Sequence, residues 1–281
     1  ASTADMFDRR ALADDVDAVR EAHAADALVL DVGADFETIP PAAAEDLGLL
    51  ADGLDPATHP AEWLPEDAPD ALVRYAGPDF TVGMPGDGTV TWTRQTAPPT
   101  VLVKKRAEGT PTDFLEFLLA EALVQVGTDA PEHFLPFFGS AYADLDAVVP
   151  LGPAEVYQIA AALHDAWLGL QTRETFRGWE DDRPGLYDAW ADAGQRLSGR
   201  LSTLPRAVAR GDTSFAEATE YACSAVKHGL DLPAPFAALD TRAFVDHGAD
   251  YGVRWAEKTF EKLDERGDDP GPDDPGRDAS A

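Results

Sequence analysis

The chain has 281 residues, 44% of them hydrophobic, which is enough to bury a sizeable core as one large unit or two modest ones. Its 52 acidic residues against 22 basic ones give a formal charge of −30, spread over the whole length rather than held in a tail. That balance, with no basic patch, argues against nucleic-acid binding, and the single cysteine, Cys223, excludes an intrachain disulfide or a multi-cysteine zinc site.

Residues 6–24 are expected to form a first helix, with Leu12, Val16 and Val19 as an apolar stripe among acids, after a disordered leader at 1–5. Residues 27–32 suit a strand closed by Gly33, and 42–50 a short helix after the Pro40-Pro41 pair. A Pro- and Asp-rich loop follows over 51–70, its Trp63 and Leu64 tucked inward. The period then alternates. Four strands are expected at 72–76, 80–84, 89–95 and 100–105, with Pro85-Gly86-Asp87-Gly88 as a hairpin turn, giving a small antiparallel meander.

From residue 111 the sequence is nearly all helical. Thr110 or Thr112 is placed to cap a helix reaching Val126, and 132–138 is a short aromatic-rich segment. The clearest helix of the chain spans 153–173, where Val156, Ile159, Ala160, Leu163, Trp167 and Leu170 recur on one face. Leu186, Trp190, Ala193, Leu197, Leu201 and Leu204 form the seam of another helix, which Pro205 ends or kinks. Residues 214–229 make a further helix, and Asp240 caps a last one reaching Arg266, with Gly248 and Gly252 one turn apart. The expected organisation is a predominantly helical α+β domain over 6–266, comprising a helical and loop entry at 6–70, the meander at 71–106 and the helical body at 111–266. A disordered acidic tail at 267–281 follows.

The first twenty residues are acidic and amphipathic, without the basic and then apolar pattern of a secretory signal. The most apolar helix, 114–126, is interrupted by Glu116 and Glu121 and too short to cross a bilayer. A cytoplasmic protein without membrane contact is the expectation.

The acids are accompanied by only five lysines and no asparagine. This style resembles that of proteins from halophilic archaea, whose cytosol holds molar salt. At about 1 M salt the Debye length is roughly 3 Å, so carboxylates that repel one another in dilute buffer are screened. Lacking any complete catalytic motif, the whole chain resembles the uncharacterised families, of the domain-of-unknown-function kind, found in those organisms.

Three groups of residues are candidates for chemistry. His164-Asp165 is the only adjacent His-Asp pair of the chain. It resembles the HD motif of metal-dependent phosphohydrolases, and that resemblance implies a divalent metal held with His133 upstream and Asp240 or Asp246 downstream. The same pair also suits a helix that buries His164 beside Tyr157 and Leu168 and leaves Asp165 in solvent. Second, Gly83, Gly86 and Gly88, then Lys104, then Glu116 or Glu121 resemble the nucleotide lobe of a kinase-like fold, in which a strand lysine pairs with a helix glutamate under a glycine-rich turn. Without asparagine or a D-F-G sequence, that lobe would be degenerate. Third, Arg173, Arg177, Trp179 and Arg183 crowd one interhelical segment, where they are placed to hold an anion or a partner, or to pair with neighbouring acids. Absent any complete catalytic constellation, the leading expectation is a non-catalytic binding or adaptor module without cofactor, acting on a protein partner. The phosphohydrolase is the alternative and the nucleotide lobe the third reading.

Overall fold

The computed structural model describes residues 6–267; the expected leader at 1–5 and the tail beyond Gly267 lie outside them. In chain order the elements are β1 (Phe7–Arg9), α1 (Asp14–His23), β2 (Leu28–Val32), α2 (Pro41–Gly48), β3 (Gly53–Leu54), α3 (Asp70–Ala76), β4 (Val90–Thr93), β5 (Thr96–Ala97) and β6 (Thr100–Val103). The helical part continues with α4 (Thr112–Val126), α5 (Phe134–Phe138), α6 (Ala141–Val148), α7 (Pro153–Arg177), α8 (Trp179–Asp182), α9 (Pro184–Leu201), α10 (Leu204–Arg210), α11 (Phe215–Val226) and α12 (Arg242–Gly267). A helical body with a small sheet in the N-terminal region is therefore the architecture, as expected.

The sheet itself differs in detail from a simple meander. Its order is β1-β2-β6-β4, with β1 and β4 antiparallel to their neighbours and the central pair β2 and β6 parallel, Leu28 opposite Thr100 and Leu30 opposite Leu102. Parallel central strands must be covered on both faces, and these are. Val29, Val101 and Val103 pack with α1 and α4, while Leu30, Val32 and Leu102 pack with Phe36, Ile39 and α2.

Two expected strands do not form. Residues 72–76 belong to α3, because Leu72, Tyr75 and Ala76 bury one face at helical spacing behind Pro69. Residues 80–84 run as irregular chain that buries Val82 and Met84, with Gly83 at φ +78° breaking any strand. The turn at 85–88 is consequently no hairpin. It is closed by Asp87, whose backbone N–H donates to Met84 O at 3.0 Å and whose carboxylate accepts from the Met84 N–H at 2.7 Å. The expected first helix likewise starts late, since Phe7 is drawn into the sheet opposite Val32.

The body is organised on α7, whose Val156, Ile159, Ala160 and Leu163 are fully buried. Pro153 begins its first turn, and the Glu155 carboxylate accepts from the Gly152 N–H at 3.4 Å. Helix α11 lies so close to α7 that a Cβ on Gly169 would sit 2.8 Å from Lys227 Cβ. The long seam breaks after Leu201, and Pro205 falls in the first turn of α10. Thr241, not Asp240, caps the last helix by accepting from the Phe244 N–H at 3.3 Å. Gly248 divides that helix with φ +45°, so it and Gly252 do not share one continuous helical face.

Candidate functional site

A cavity of about 530 Å³ opens where the sheet meets the helical body. Helix α7 supplies one wall through Tyr157, Gln158, Ala161, His164 and Asp165, and α4 supplies another through Leu118, Glu121 and Gln125. The turn 85–88 and β4 residues Val90, Thr91 and Trp92 close the sheet side, while Glu132, His133 and Phe134 enter from the segment ahead of α5. A side chamber of about 170 Å³ adjoins it, sharing Glu121, Gln125, Asp165 and Leu168 and reaching Cys223, Ser224 and Lys227. The walls mix aromatic faces with a few convergent polar groups, the ordinary character of a small-molecule site, and the volume lies in the usual range.

Local chemistry holds these walls in place. The Arg94 guanidinium donates to Val126 O at 3.0 Å and Ala130 O at 2.6 Å, and also to Gln125 O and Thr128 O. It thereby satisfies carbonyls that the C-terminal end of α4 leaves without helical partners. Glu132 accepts from the Arg94 N–H at 2.7 Å, Gln95 Nε2 at 2.7 Å and the Thr93 hydroxyl at 3.2 Å. Burial nevertheless holds its carboxyl above the usual range. The pair Arg94 and Glu132 thus ties β4 to the segment that carries His133. Trp92 Nε1–H donates to Gln125 Oε1 at 2.8 Å, and the Tyr157 hydroxyl donates to Pro85 O at 3.1 Å, which joins the turn to α7.

His133 stands in a column of rings. His59 lies 5.5 Å from Tyr75, Tyr75 4.1 Å from His133, and His133 4.2 Å from Phe134. Its Nδ1 accepts from the Leu135 N–H at 3.1 Å, so the remaining proton sits on Nε2, a buried atom without a partner among the described residues. Burial depresses its pKa well below the ordinary value, reinforced by His164 and His59. His164 is neutral for the same reason: burial brings it down to about 4, against a hydrogen bond of 3.0 Å between Nε2 and Pro131 O. Asp165 behaves differently. Its side chain lines the cavity and is 72% exposed, so water reaches the carboxylate, while desolvation by the surrounding walls raises its pKa above the ordinary value. Lys227 opposes that rise, whereas Asp87, Glu121 and Glu220 reinforce it.

The candidate residues read from the sequence are distributed as follows. His133, His164 and Asp165 do line one cavity, but His164 Nδ1 stands 4.0 Å from Asp165 Oδ1 and its Nε2 is turned to Pro131. Asp240 is bound elsewhere, to Arg173 at 2.7 Å, and Asp246 pairs with Arg242. Among the described residues no three His, Cys, Asp or Glu side chains are grouped as a metal ion would need. Gly86, Gly88 and Glu121 line the cavity together, yet Lys104 does not join them. It is 1% exposed and meets Asp87 at 3.8 Å, while Glu121 pairs with Lys227 at 2.7 Å, and Glu116 is engaged by neither lysine. The arginine cluster is taken up largely by neighbouring acids, with Arg173 and Arg177 both reaching Glu174. Arg173 holds Asp240, Arg177 holds Glu174 at 2.6 Å, and Arg183 buries an unpartnered Nε. Trp179 is 3% exposed beside Phe176 and so presents no face to a partner.

Sequence reasoning passed over Trp92, Gln125, Glu132, Tyr157 and Glu220, which complete the walls. Only the Pro85 to Gly88 turn and the His-Asp pair carried a local signal, because the other residues come together from separate elements. No helix of the described residues is long and apolar enough to cross a membrane. Comparison with curated proteins and with solved structures finds no match to this chain. One family model does match, over residues 6–263 and so over both the sheet and the helical body that build the cavity: the chain belongs to a family of unknown function, DUF7089.

Proposed function

We propose that this protein is a non-catalytic binding module whose ligand is a small polar molecule held in the cavity between the sheet and helices α4 and α7. The observation that carries this reading is the cavity itself: about 530 Å³, walled by Trp92, Phe134 and Tyr157, with ionisable groups turned inward. The inward groups do not form a reaction constellation. His164 spends Nε2 on a backbone carbonyl, His133 spends Nδ1 on a backbone N–H, and Cys223 is a buried thiol whose pKa burial raises well above the ordinary value. The formal net charge of −30 supports work in a cytosol of high salt, the setting in which so many carboxylates are tolerated.

Thermal denaturation in 2 M KCl with a panel of small cations, anions and neutral polyols tests the reading. A true ligand at about 100 times its Kd adds roughly 2.7 kcal/mol of stability. Ala161→Trp fills the cavity from α7 and is expected to abolish the shift while the variant stays folded. A panel without any saturable shift, or a shift that survives Ala161→Trp, overturns the proposal.

A further inference from the structure

We infer that the cavity takes an organic cation, an amine or guanidinium whose charge is met by Asp165. This rests on the binding reading above and adds the chemical class of the ligand.

Among the described residues five carboxylates border the cavity, and four are occupied by the protein's own donors. Asp87 accepts from the Met84 N–H at 2.7 Å with Lys104 behind it, and Glu121 is paired with Lys227 at 2.7 Å. Glu132 accepts from Arg94, Gln95 and Thr93, and Glu220 accepts from Gln158 Nε2 at 2.5 Å. Asp165 accepts no hydrogen bond among the described residues. Its nearest cationic candidate is His164 Nδ1 at 4.0 Å, on a ring that burial keeps neutral. Among the described residues no lysine or arginine lines the main cavity, and Lys227 borders only the side chamber, already committed to Glu121.

Asp165 lines the cavity yet stays open to solvent, and desolvation by the walls, reinforced by the charges of Asp87, Glu121 and Glu220, raises its carboxyl above the ordinary value. Its oxygens are reached by water and by no protein donor among the described residues, so they are open to a partner from solution. A ligand ammonium or guanidinium supplies the pair, and the faces of Tyr157 and Trp92 on the same cavity suit the remainder of an organic cation. An anion would face Asp87, Glu121, Glu132, Asp165 and Glu220 across the cavity.

Calorimetric titration in 2 M KCl, which screens the acidic outer surface, is the test. The probes are agmatine, spermidine and choline as cations, AMP and inorganic phosphate as anions, and trehalose as a neutral solute, each against wild type, Asp165→Asn, Ala161→Trp and Glu257→Gln, an exposed carboxylate of α12 away from the cavity. Expected is saturable binding of at least one cation, weakened 10-fold or more by Asp165→Asn, abolished by Ala161→Trp and changed little by Glu257→Gln. Asp165→Asn keeps the side-chain shape, and its unaltered circular dichroism separates lost charge from lost fold. Binding of AMP, phosphate or trehalose in place of the cations, or cation binding indifferent to Asp165→Asn, overturns the charge assignment while the binding reading stands. Binding by none of the six overturns both.

Discussion

Replacing Arg94 with methionine keeps most of the aliphatic stem and removes the guanidinium that closes the end of α4. Four carbonyls lose a donor: Gln125, Val126, Thr128 and Ala130. Gln125 O retains the Thr128 hydroxyl at 2.7 Å, which leaves three dependent on Arg94. A buried acceptor without a partner costs about 1–3 kcal/mol, and since Arg94 is half-buried water relieves part of that, so about 1 kcal/mol each, or about 3 kcal/mol in total, is expected. At roughly 2–4 °C per kcal/mol, the midpoint of thermal unfolding falls by about 6–12 °C. Arg94→Lys recovers little, because one ammonium cannot span carbonyls from 125 to 130. Circular dichroism melts in 2 M KCl check this. A fall of less than 2 °C for the methionine variant, or a lysine variant equal to wild type, refutes the account of Arg94 as the clamp between β4 and the end of α4.

Acid should weaken the fold before the surface carboxylates are protonated. His164 and His228 are both held down to about 4 by burial, below their unfolded value near 6.5, so their contribution is whole above pH 6.5 and is lost as pH falls from 6.5 towards 4. Asp165, raised above its ordinary value, works in the opposite sense, adding stability as pH falls through that raised value, by an amount that its 72% exposure to solvent keeps small. Urea midpoints between pH 7.5 and 4.5 should therefore fall less steeply for His164→Gln and more steeply for Asp165→Asn; parallel curves for all three proteins count against this. Gly169→Ala should destabilise by about 1–3 kcal/mol, although alanine is the better helix former, because its Cβ would stand 2.8 Å from Lys227 Cβ and 3.2 Å from its backbone. A variant as stable as wild type in chemical denaturation would show that α7 and α11 separate easily. Finally, the midpoint of thermal unfolding should rise steadily between 0.1 and 2 M KCl as the charge of −30 is screened, and a flat response would remove the electrostatic argument.

Local patterns in the chain were sufficient for whatever local physics decides. The helical face of Val156, Ile159, Ala160 and Leu163 marked α7, and the apolar run ahead of Gly33 marked β2, because a buried face repeats with the period of its element. The same period misled at residues 72–76, where apolar spacing is compatible with either state and the helix won because Leu72, Tyr75 and Ala76 all reach the core from it. Pairing was not legible at all: β2 lies beside β6 across a separation of about seventy residues, and nothing in either strand names the other. The cavity followed the same rule. His164 and Asp165 stood out as neighbours in sequence, yet one is a neutral core group and the other opens into a hollow made by Glu121, Glu132 and Trp92 from three other segments. Composition determined the charge of the surface, and periodicity determined the helices. Only the packed chain decided which cavity carboxylates are held by the protein's own donors and which one, Asp165, is left open, because that depends on distances between elements that share no local pattern.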